Sequence, residues 1–387
     1  MTHPRRVLRL VCSLALVATV TPYSIAQSVP QAIVATTAPF TAAYVYVQIQ
    51  GPQGAVYGFR ASSTGHLSAI PGSPFRLAGE IIGATPTKFF TVGKDLIHSY
   101  GIASDGAIES QLSKIAFFDY SGSECTPSQY SFVKGAVLDH SGKYIYVELL
   151  CQGNWSAEYQ TYLIHNDGAF SYDGETDSRL CTTCQAGNPP SILGNESFAY
   201  ADELGAPLLG FRRRSAGTLE LMQFTERDPF IGNYYSVYGP DASPAGNFLV
   251  AQIYPADSNP PLLASYIVDS GGNISSTNTL AGMPTSMIDG EPRTTFSPSG
   301  DLFMVYSNVG GDGIEIYKVN GAAPLIFYKT LLKSAPIDDV KWDRANHLYA
   351  ISDAANKLYV FTVTATSVTE DSAISIGSPF KMVEVSR

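Results

Sequence analysis

The sequence predicts an all-β fold, a seven-bladed β-propeller whose blades are four-stranded antiparallel sheets. Three observations lead to this fold: a repeat near fifty residues, a landmark at three times that spacing, and a composition rich in aromatic residues, glycine and proline. Short apolar and aromatic runs start at seven positions, Tyr44, Phe89, Tyr144, Phe198, Phe248, Leu302 and Leu348. The first and last starts are 304 residues apart over six intervals, so the mean step is about 51 residues, close to the length of a propeller blade.

The second landmark is a Gly-Ser-Pro-Phe run at residues 72–75, which recurs at 377–380 with an Asp-Pro-Phe run at 228–230 between them. The intervals between the phenylalanines are 155 and 150 residues, three periods each.

The 387 residues include 23 Tyr, 19 Phe, 34 Gly and 24 Pro, which favours short strands between tight turns. Because a ring of repeats buries one continuous core, we expect a single propeller domain at 41–387.

Within a repeat, alternating polar and apolar residues predict four strands. In the sixth unit they fall at 293–297, 302–307, 314–319 and 325–328, and the third and seventh units follow the same order. A glycine at the turn between the third and fourth strands recurs in six units, where a positive φ is expected. These are Gly65, Gly106, Gly168, Gly217, Gly272 and Gly321.

The two ends of the repeat predict how the ring closes. The first unit opens directly on the second-strand pattern at 44–47, and residues 382–385 follow the last Ser-Pro-Phe where a first strand would come. We therefore expect the C-terminal strand to complete the first blade. Such closure removes free sheet edges.

The N-terminal segment is different in kind. Arg5, Arg6 and Arg9 precede an apolar run at 10–20, and a Ser-Ile-Ala site ends at Ala26. This pattern predicts a signal peptide at 1–26, followed by an extension at 27–40, and a periplasmic or extracellular location. A membrane anchor is the alternative, but the run is shorter than the ~20 residues of a span, so no membrane span is expected after cleavage.

The charge of the mature chain argues against one class of partner. Loss of the three arginines leaves 21 basic and 34 acidic residues, a net charge of −13. Such a surface repels phosphate backbones, so nucleic acid is excluded as a partner. We expect a monomer.

Four cysteines remain after the signal peptide, Cys125, Cys151, Cys181 and Cys184. In an oxidising compartment they predict disulfides. Three pairings are possible, and we favour Cys125 with Cys151 and Cys181 with Cys184. A zinc site is the alternative, but only one C-x-x-C is present. No metal and no cofactor are expected.

Two motifs carry a resemblance to a known family. Gly-x-Leu followed by Gly-Ser-Pro-Phe, and a Ser-Pro-x-Gly turn before an aromatic strand, resemble the secreted lactonase-like propellers, which include the YVTN-repeat and phosphogluconolactonase-like proteins. The resemblance covers about 44–385 and implies a seven-bladed propeller. Active members of the family are expected to keep a Pro-Arg-His run on a channel-lining strand and a glutamate at the end of the next.

Here Pro292 and Arg293 match that run, but Thr294 replaces the histidine, and Ser307 and Asn308 stand where the glutamate would be. The imidazole that would act as general base near neutral pH is therefore missing. Whether the protein is an enzyme stays open at this stage.

First strands line the central channel of a propeller, so their charged residues are the candidate ligand-binding side chains: Glu80, Arg293, Lys341 and Glu384. A ring of mixed charge suits a small anionic or hydroxylated ligand, and Arg293 could hold a carboxylate in a bidentate fork. The alternative is a solvated channel wall whose charges pair with one another.

These observations predict a secreted propeller that binds a partner without catalysis, the partner being a small ligand, a carbohydrate or an envelope protein. The first alternative is a lactonase, or a related sugar-acid hydrolase or cycloisomerase, acting in the central channel. The second is a cell-surface module that only displays its loops.

Overall fold

The computed structural model describes residues 41–49, 54–117, 130–151, 157–177, 185–186, 188–204, 208–222, 230, 234–255, 260–286, 288, 292–377 and 380–386. The predicted signal peptide and extension lie outside these residues and stay predictions. In the described part of the chain, no helix is long and apolar enough to cross a membrane.

The first four blades are built from eighteen strands. Blade 1 contains β1 (Thr41–Ile49), β2 (Ala55–Ser62), β3 (Leu67–Ala69) and β4 (Phe75–Arg76). Blade 2 contains β5 (Glu80–Ala84), β6 (Lys88–Val92), β7 (Leu96–Ile102) and β8 (Ile108–Ala116). Blade 3 contains β9 (Tyr130–Leu138), β10 (Tyr144–Cys151), β11 (Ala157–Ile164) and β12 (Phe170–Asp177). Blade 4 contains β14 (Ser191–Ile192), β15 (Phe198–Ala201), β17 (Leu209–Arg213) and β18 (Leu219–Leu221), while β13 (Gln185–Ala186) and β16 (Glu203–Leu204) pair separately.

The remaining three blades keep the same order. Blade 5 contains β19 (Tyr234–Ala242), β20 (Phe248–Pro255), β21 (Leu262–Val268) and β22 (Ile274–Ser275), followed by a 3-10 turn at Leu280–Gly282. Blade 6 contains β23 (Arg293–Phe296), β24 (Leu302–Tyr306), β25 (Ile314–Lys318) and β26 (Ile326–Leu331). Blade 7 contains β27 (Asp339–Trp342), β28 (His347–Ser352), β29 (Lys357–Val363) and β30 (Val368–Ser375), and the described chain ends with β31 (Phe380–Val385).

The C-terminal strand closes the ring as the sequence predicts. Strand β31 pairs antiparallel with β1, with Glu384 opposite Tyr46 and Val383 opposite Val47. Blade 1 therefore has the order β3-β2-β1-β31, and the other six blades run in plain sequence order. The prediction of seven four-stranded antiparallel blades is confirmed.

The apolar core lies between the blades. Seven clusters of buried side chains are present in the described residues, and each joins one pair of neighbouring blades. Alternation along a strand decides which neighbour a side chain meets: Val45 and Val47 pack toward blade 7, and Tyr46 between them packs toward blade 2. Every blade is thus covered on both faces, which explains the aromatic-rich composition.

The turn glycines also join neighbouring blades. All six predicted glycines have a φ between 62° and 91°. At Gly106 a side chain would overlap the ring of Tyr44 in the preceding blade, so the position needs glycine for both its conformation and its contact. Tyrosines on the second strand of the preceding blade donate hydrogen bonds to the carbonyl oxygens of three of these glycines. The pairs are Tyr46 and Gly106 at 2.9 Å, Tyr146 and Gly217 at 2.8 Å, and Tyr200 and Gly272 at 3.1 Å.

Candidate functional site

One hydrogen bond recurs at the end of every innermost strand and makes positions in the seven blades comparable. The N–H of a turn residue donates to the carbonyl of the second strand at 2.8 to 3.0 Å in each blade. The donor and acceptor residues are Thr85 and Lys88, Asp139 and Tyr144, Leu193 and Phe198, Ser243 and Phe248, Ser297 and Leu302, Asp343 and His347, and Ser386 and Tyr44.

The residue two positions before each of these donors faces the channel. We call this set the channel ring; its members, from blade 2 round to blade 1, are Gly83, Val137, Ser191, Asp241, Thr295, Lys341 and Glu384. All seven line one cavity of about 340 Å³. The cavity therefore lies on the propeller axis and is touched by every blade.

The channel ring divides into a polar arc and an apolar arc. Blades 4, 5, 6, 7 and 1 contribute serine, aspartate, threonine, lysine and glutamate, whereas blades 2 and 3 contribute glycine and valine. The apolar arc is extended by Ile82, Ala84 and Leu138, which line the same cavity. At Gly83 a Cβ would lie 3.0 Å from the Cβ of Leu138, so this wall is already closely packed.

Asp241 holds three blades together at the polar arc. Its Oδ1 accepts a 2.6 Å hydrogen bond from Ser191 Oγ of blade 4, and its Oδ2 accepts a 2.9 Å bond from the Phe296 N–H of blade 6. Ser191 Oγ in turn accepts the N–H of Ala242 at 2.8 Å. Burial raises the pKa of the Asp241 carboxyl to about 6, although these hydrogen bonds and the charge of Lys341 favour the ionised form.

Lys341 and Glu384 form an ion pair across the closing interface of the ring. The Lys341 Nζ lies 3.6 Å from Glu384 Oε2. The lysine side chain is 36 % exposed and the glutamate 9 %, so the ammonium faces the cavity while its partner is largely covered. Two of the four channel candidates named from the sequence are thus brought together in the cavity.

The other two candidates lie elsewhere along their strands. Glu80 begins β5 and Arg293 begins β23, both exposed, and neither lines the cavity. The Arg293 Nη1 donates to the carbonyl of Asp338 at 3.0 Å, a contact from blade 6 to blade 7. The structure therefore does not bring Arg293 or Glu80 together with Lys341 and Glu384.

Residues of the turns also line the cavity, among them Asp139, His140 and Arg344. Asp139 Oδ2 pairs with Arg213 Nη2 at 2.9 Å, and its carboxylate is fully buried. His140 Nε2 lies 2.7 Å from the carbonyl oxygen of Ile192, so this nitrogen carries a proton and donates it. Arg344 is exposed and forms no hydrogen bond or ion pair with any described residue.

Sequence reasoning missed Ser191, Asp241 and Thr295, although a positional signal was present. In blades 3 to 7 the ring residue stands seven residues before the predicted start of the second strand. Counting back from Phe198, for example, gives Ser191. This position was not predicted because the candidates were charged residues on clearly patterned first strands.

The cysteine prediction falls outside the part of the chain that can be tested. Cys125, Cys181 and Cys184 lie outside the described residues, and Cys151 is described only as the end of β10. The disulfide pairing stays a prediction. Among the described residues, no group of three or more histidine, cysteine, aspartate or glutamate side chains is placed to hold a metal ion.

Fold and cavity together define a seven-bladed β-propeller with an axial pocket of ligand size. No protein-family model and no curated protein matches the chain. Solved structures do match. A 6-phosphogluconolactonase candidate from Bacteroides fragilis shares 13 % identity with a TM-score of 0.62, covering 89 % of this chain and 98 % of its own. The periplasmic gluconolactonase of Pseudomonas aeruginosa shares 13 % with a TM-score of 0.61, covering 89 % and 99 %.

A second 6-phosphogluconolactonase candidate, from Bacteroides uniformis, shares 12 % identity with a TM-score of 0.64 and covers 89 % of this chain and 99 % of its own. The protein therefore has the fold of the lactonase-like seven-bladed propellers. At this level of identity the likeness concerns the fold alone.

Proposed function

We propose that the protein is a secreted binding protein that holds a small hydroxylated ligand in its axial channel without converting it. The observation that supports this function is the polar arc of the channel ring, five neighbouring polar side chains around one cavity. Its volume of about 340 Å³ lies within the range of about 300–1,000 Å³ typical of small-molecule pockets.

The polar arc has hydrogen-bonding capacity left for a ligand. The ammonium of Lys341 has three donors and one paired carboxylate, Glu384. With the described residues, the Thr295 hydroxyl makes only a long, 3.4 Å bond to the carbonyl of Phe296, so it is easily redirected. Ligand hydroxyl groups, which both donate and accept, match such a mixture of donors and acceptors.

The state of the possible bases favours binding over catalysis. Both oxygens of Asp241 accept hydrogen bonds from neighbouring blades, Glu384 is paired with Lys341, and His140 donates through Nε2 to a backbone carbonyl. A general base needs an oxygen or nitrogen within reach of the proton that it removes. Here these groups already join one blade to the next.

The test is ligand-induced thermal stabilisation. Purified protein is melted with a panel of sugars, polyols, sugar acids and lactones, beside Thr295→Val, which removes the ring hydroxyl at almost constant shape. Thr369→Val on the exposed outer strand β30 is the matched control. A ligand at 100 times its Kd stabilises the folded state by about 2.7 kcal/mol.

We expect at least one panel member to raise the Tm of the parent and of Thr369→Val equally, and of Thr295→Val less. Equal shifts in all three proteins would contradict binding at the channel ring. No shift with any member would contradict the proposed function.

Secretion is part of the proposal and has its own support. The N-terminal pattern of residues 1–26 is that of a signal peptide, and a neighbour of the same fold is described as periplasmic. Expression of the full chain in a bacterial host, followed by mass determination of the exported protein, should give a mature chain beginning at Gln27. A protein that still begins with Met1 and stays in the cell pellet would contradict export.

Lactone hydrolysis is the second candidate, and one property of Asp241 favours it. A carboxyl with a pKa of about 6 is a stronger base than an ordinary aspartate and is still ionised at neutral pH. In this reaction water attacks the lactone carbonyl and gives a proton to Asp241, while Lys341 stabilises the oxyanion of the tetrahedral intermediate. The intermediate then collapses with cleavage of the ring C–O bond, and Asp241 returns the proton to the leaving ring oxygen, which gives the hydroxy acid. One structural neighbour is described as a gluconolactonase, and two as 6-phosphogluconolactonase candidates.

A pH-stat assay with δ-gluconolactone separates the two functions, with spontaneous hydrolysis as the blank. Turnover above the blank that Asp241→Asn abolishes would make the protein a lactonase. Parent and Asp241→Asn rates equal to the blank, with binding of the same compound, would support the binding function.

A further inference from the structure

One charged side chain of the cavity lining has no partner among the described residues. Asp139 is paired with Arg213, which also pairs with Glu196, and Glu384 is paired with Lys341. Asp241 is enclosed by donors from two blades. Arg344 remains: it lines the cavity from the turn after β27, and no described residue pairs with it. Arg344 therefore offers the cavity a guanidinium that no described residue engages.

Part of the opposite wall of the channel is apolar. Blades 2 and 3 contribute the side chains of Ile82, Ala84, Val137 and Leu138 to the lining, with Gly83 between them. In a ring of seven, blade 3 lies across the axis from blade 7, which carries Arg344. Polar turn residues of the same two blades also line the pocket, among them Asp139 and His140. The pocket thus has a cation on one side and an apolar patch, beside these turns, on the other.

We propose that the channel ligand is an amphipathic monoanion, a hydroxylated carboxylic acid with an apolar flank, whose carboxylate binds Arg344 and whose flank packs on blades 2 and 3. This inference rests on the proposed function and specifies its ligand. The planar guanidinium matches a carboxylate bidentately. Because the carboxylate of Asp241 lines the same cavity, an anion of charge −1 is repelled less than a phosphomonoester, which carries nearly −2 at pH 7.

The apolar wall argues against a purely hydroxylated anion. A polyol chain would leave hydroxyl groups facing Val137 and Leu138 with no partner, and an unsatisfied buried polar group is costly. An alkyl or aryl flank removes its own apolar surface and that of the wall from water. The polar arc, on the remaining blades, then serves the hydroxyl group.

The test uses three matched compounds in titration calorimetry. Mandelate has a phenyl flank, a hydroxyl and a carboxylate; 1-phenyl-1,2-ethanediol replaces the carboxylate by a neutral alcohol; gluconate keeps the carboxylate but has no apolar flank. Because a hydrogen-bonded charge pair contributes about 1.5–3 kcal/mol, mandelate should bind the parent about tenfold or more tightly than the diol.

Two variants assign the contacts. Arg344→Gln should reduce mandelate affinity to that of the diol and leave the diol unchanged, whereas Arg212→Gln, at an exposed arginine of β17 outside the cavity lining, should change neither. Val137→Thr adds a hydroxyl to the apolar wall at nearly constant shape. It should weaken mandelate several-fold and leave gluconate unaffected.

Equal affinity of the parent for mandelate and the diol would overturn the inference that the ligand is an anion. Tighter binding of gluconate than of mandelate would overturn the inference that the ligand has an apolar flank. Binding of neutral sugars at Thr295 with none of these acids bound would refute this inference and leave the proposed function standing. If no compound in either panel binds, both fail.

Discussion

Asp339 connects the closing blades, and its removal should open the ring at the point where the C-terminal strand joins. Its Oδ1 accepts hydrogen bonds from the Tyr306 hydroxyl and the Val340 N–H, both at 2.9 Å, and its Oδ2 accepts the Val383 N–H at 3.0 Å. These contacts link blade 6, blade 7 and strand β31 through one carboxylate that is 5 % exposed.

The expected cost follows from the donors that Asp339→Ala leaves buried. The Tyr306 hydroxyl and the Val383 N–H lose their acceptor, at about 1–3 kcal/mol each. Relief from burying the carboxylate offsets part of this loss, so we expect destabilisation of about 3 kcal/mol. With a urea m value of about 3 kcal/mol/M, the unfolding midpoint should fall by about 1 M. Asp339→Asn keeps one oxygen for Tyr306 and should lose less.

The assay is urea unfolding followed by fluorescence, with amide exchange of Val383 as a local readout. Asp301→Ala, at an exposed turn residue before β24, is the matched control and should change the midpoint little. A midpoint for Asp339→Ala equal to that of the control, or unchanged protection of the Val383 amide, would refute the role assigned to Asp339.

Two further perturbations test the fold. In urea unfolding, Gly106→Ala should lower the free energy of unfolding by about 2 kcal/mol or more beyond the loss caused by Gly321→Ala. Both positions need a positive φ, but only at Gly106 does the added carbon overlap a ring, since at Gly321 the nearest atom is 3.8 Å away. Burial raises the pKa of Asp202 from 3.8 to about 6. The native state therefore keeps this proton at pH values where the unfolded chain has lost it. The contribution of this carboxyl to the stability of the native state is complete below pH about 4 and is lost as the pH rises through 6. Asp202→Asn should flatten that part of the stability–pH curve.

The blade architecture was predictable because it rests on local patterns that every repeat reproduces. The apolar run that starts at Tyr144 becomes β10, and the run at Leu302 becomes β24. Even closure by β31 follows from the sequence, since a first blade without an innermost strand needs one from the other terminus. Seven copies of the same signal outweigh the ambiguity of any single copy.

The site was only partly predictable, because its residues do not resemble one another. Lys341 and Glu384 were found through their charge, whereas Ser191 and Thr295 are ordinary strand residues until the channel brings them together. Arg293 was selected on the same ground and also matches part of a family motif, yet it stands two residues before the channel-ring position of its strand. Position relative to the turn, and not residue type, identifies the channel lining.

The channel ring separates the residues that the propeller fold requires from those that it leaves free to vary. At the turn, the same backbone hydrogen bond recurs in all seven blades, and it makes no demand on the side chain two residues earlier. That position accepts glycine in blade 2 and lysine in blade 7. Folding information therefore lies in the second strands and turn glycines, whereas the ligand recognition that we propose would lie in ring positions that the fold leaves free to vary. Asp241 is the ring member that also joins neighbouring blades.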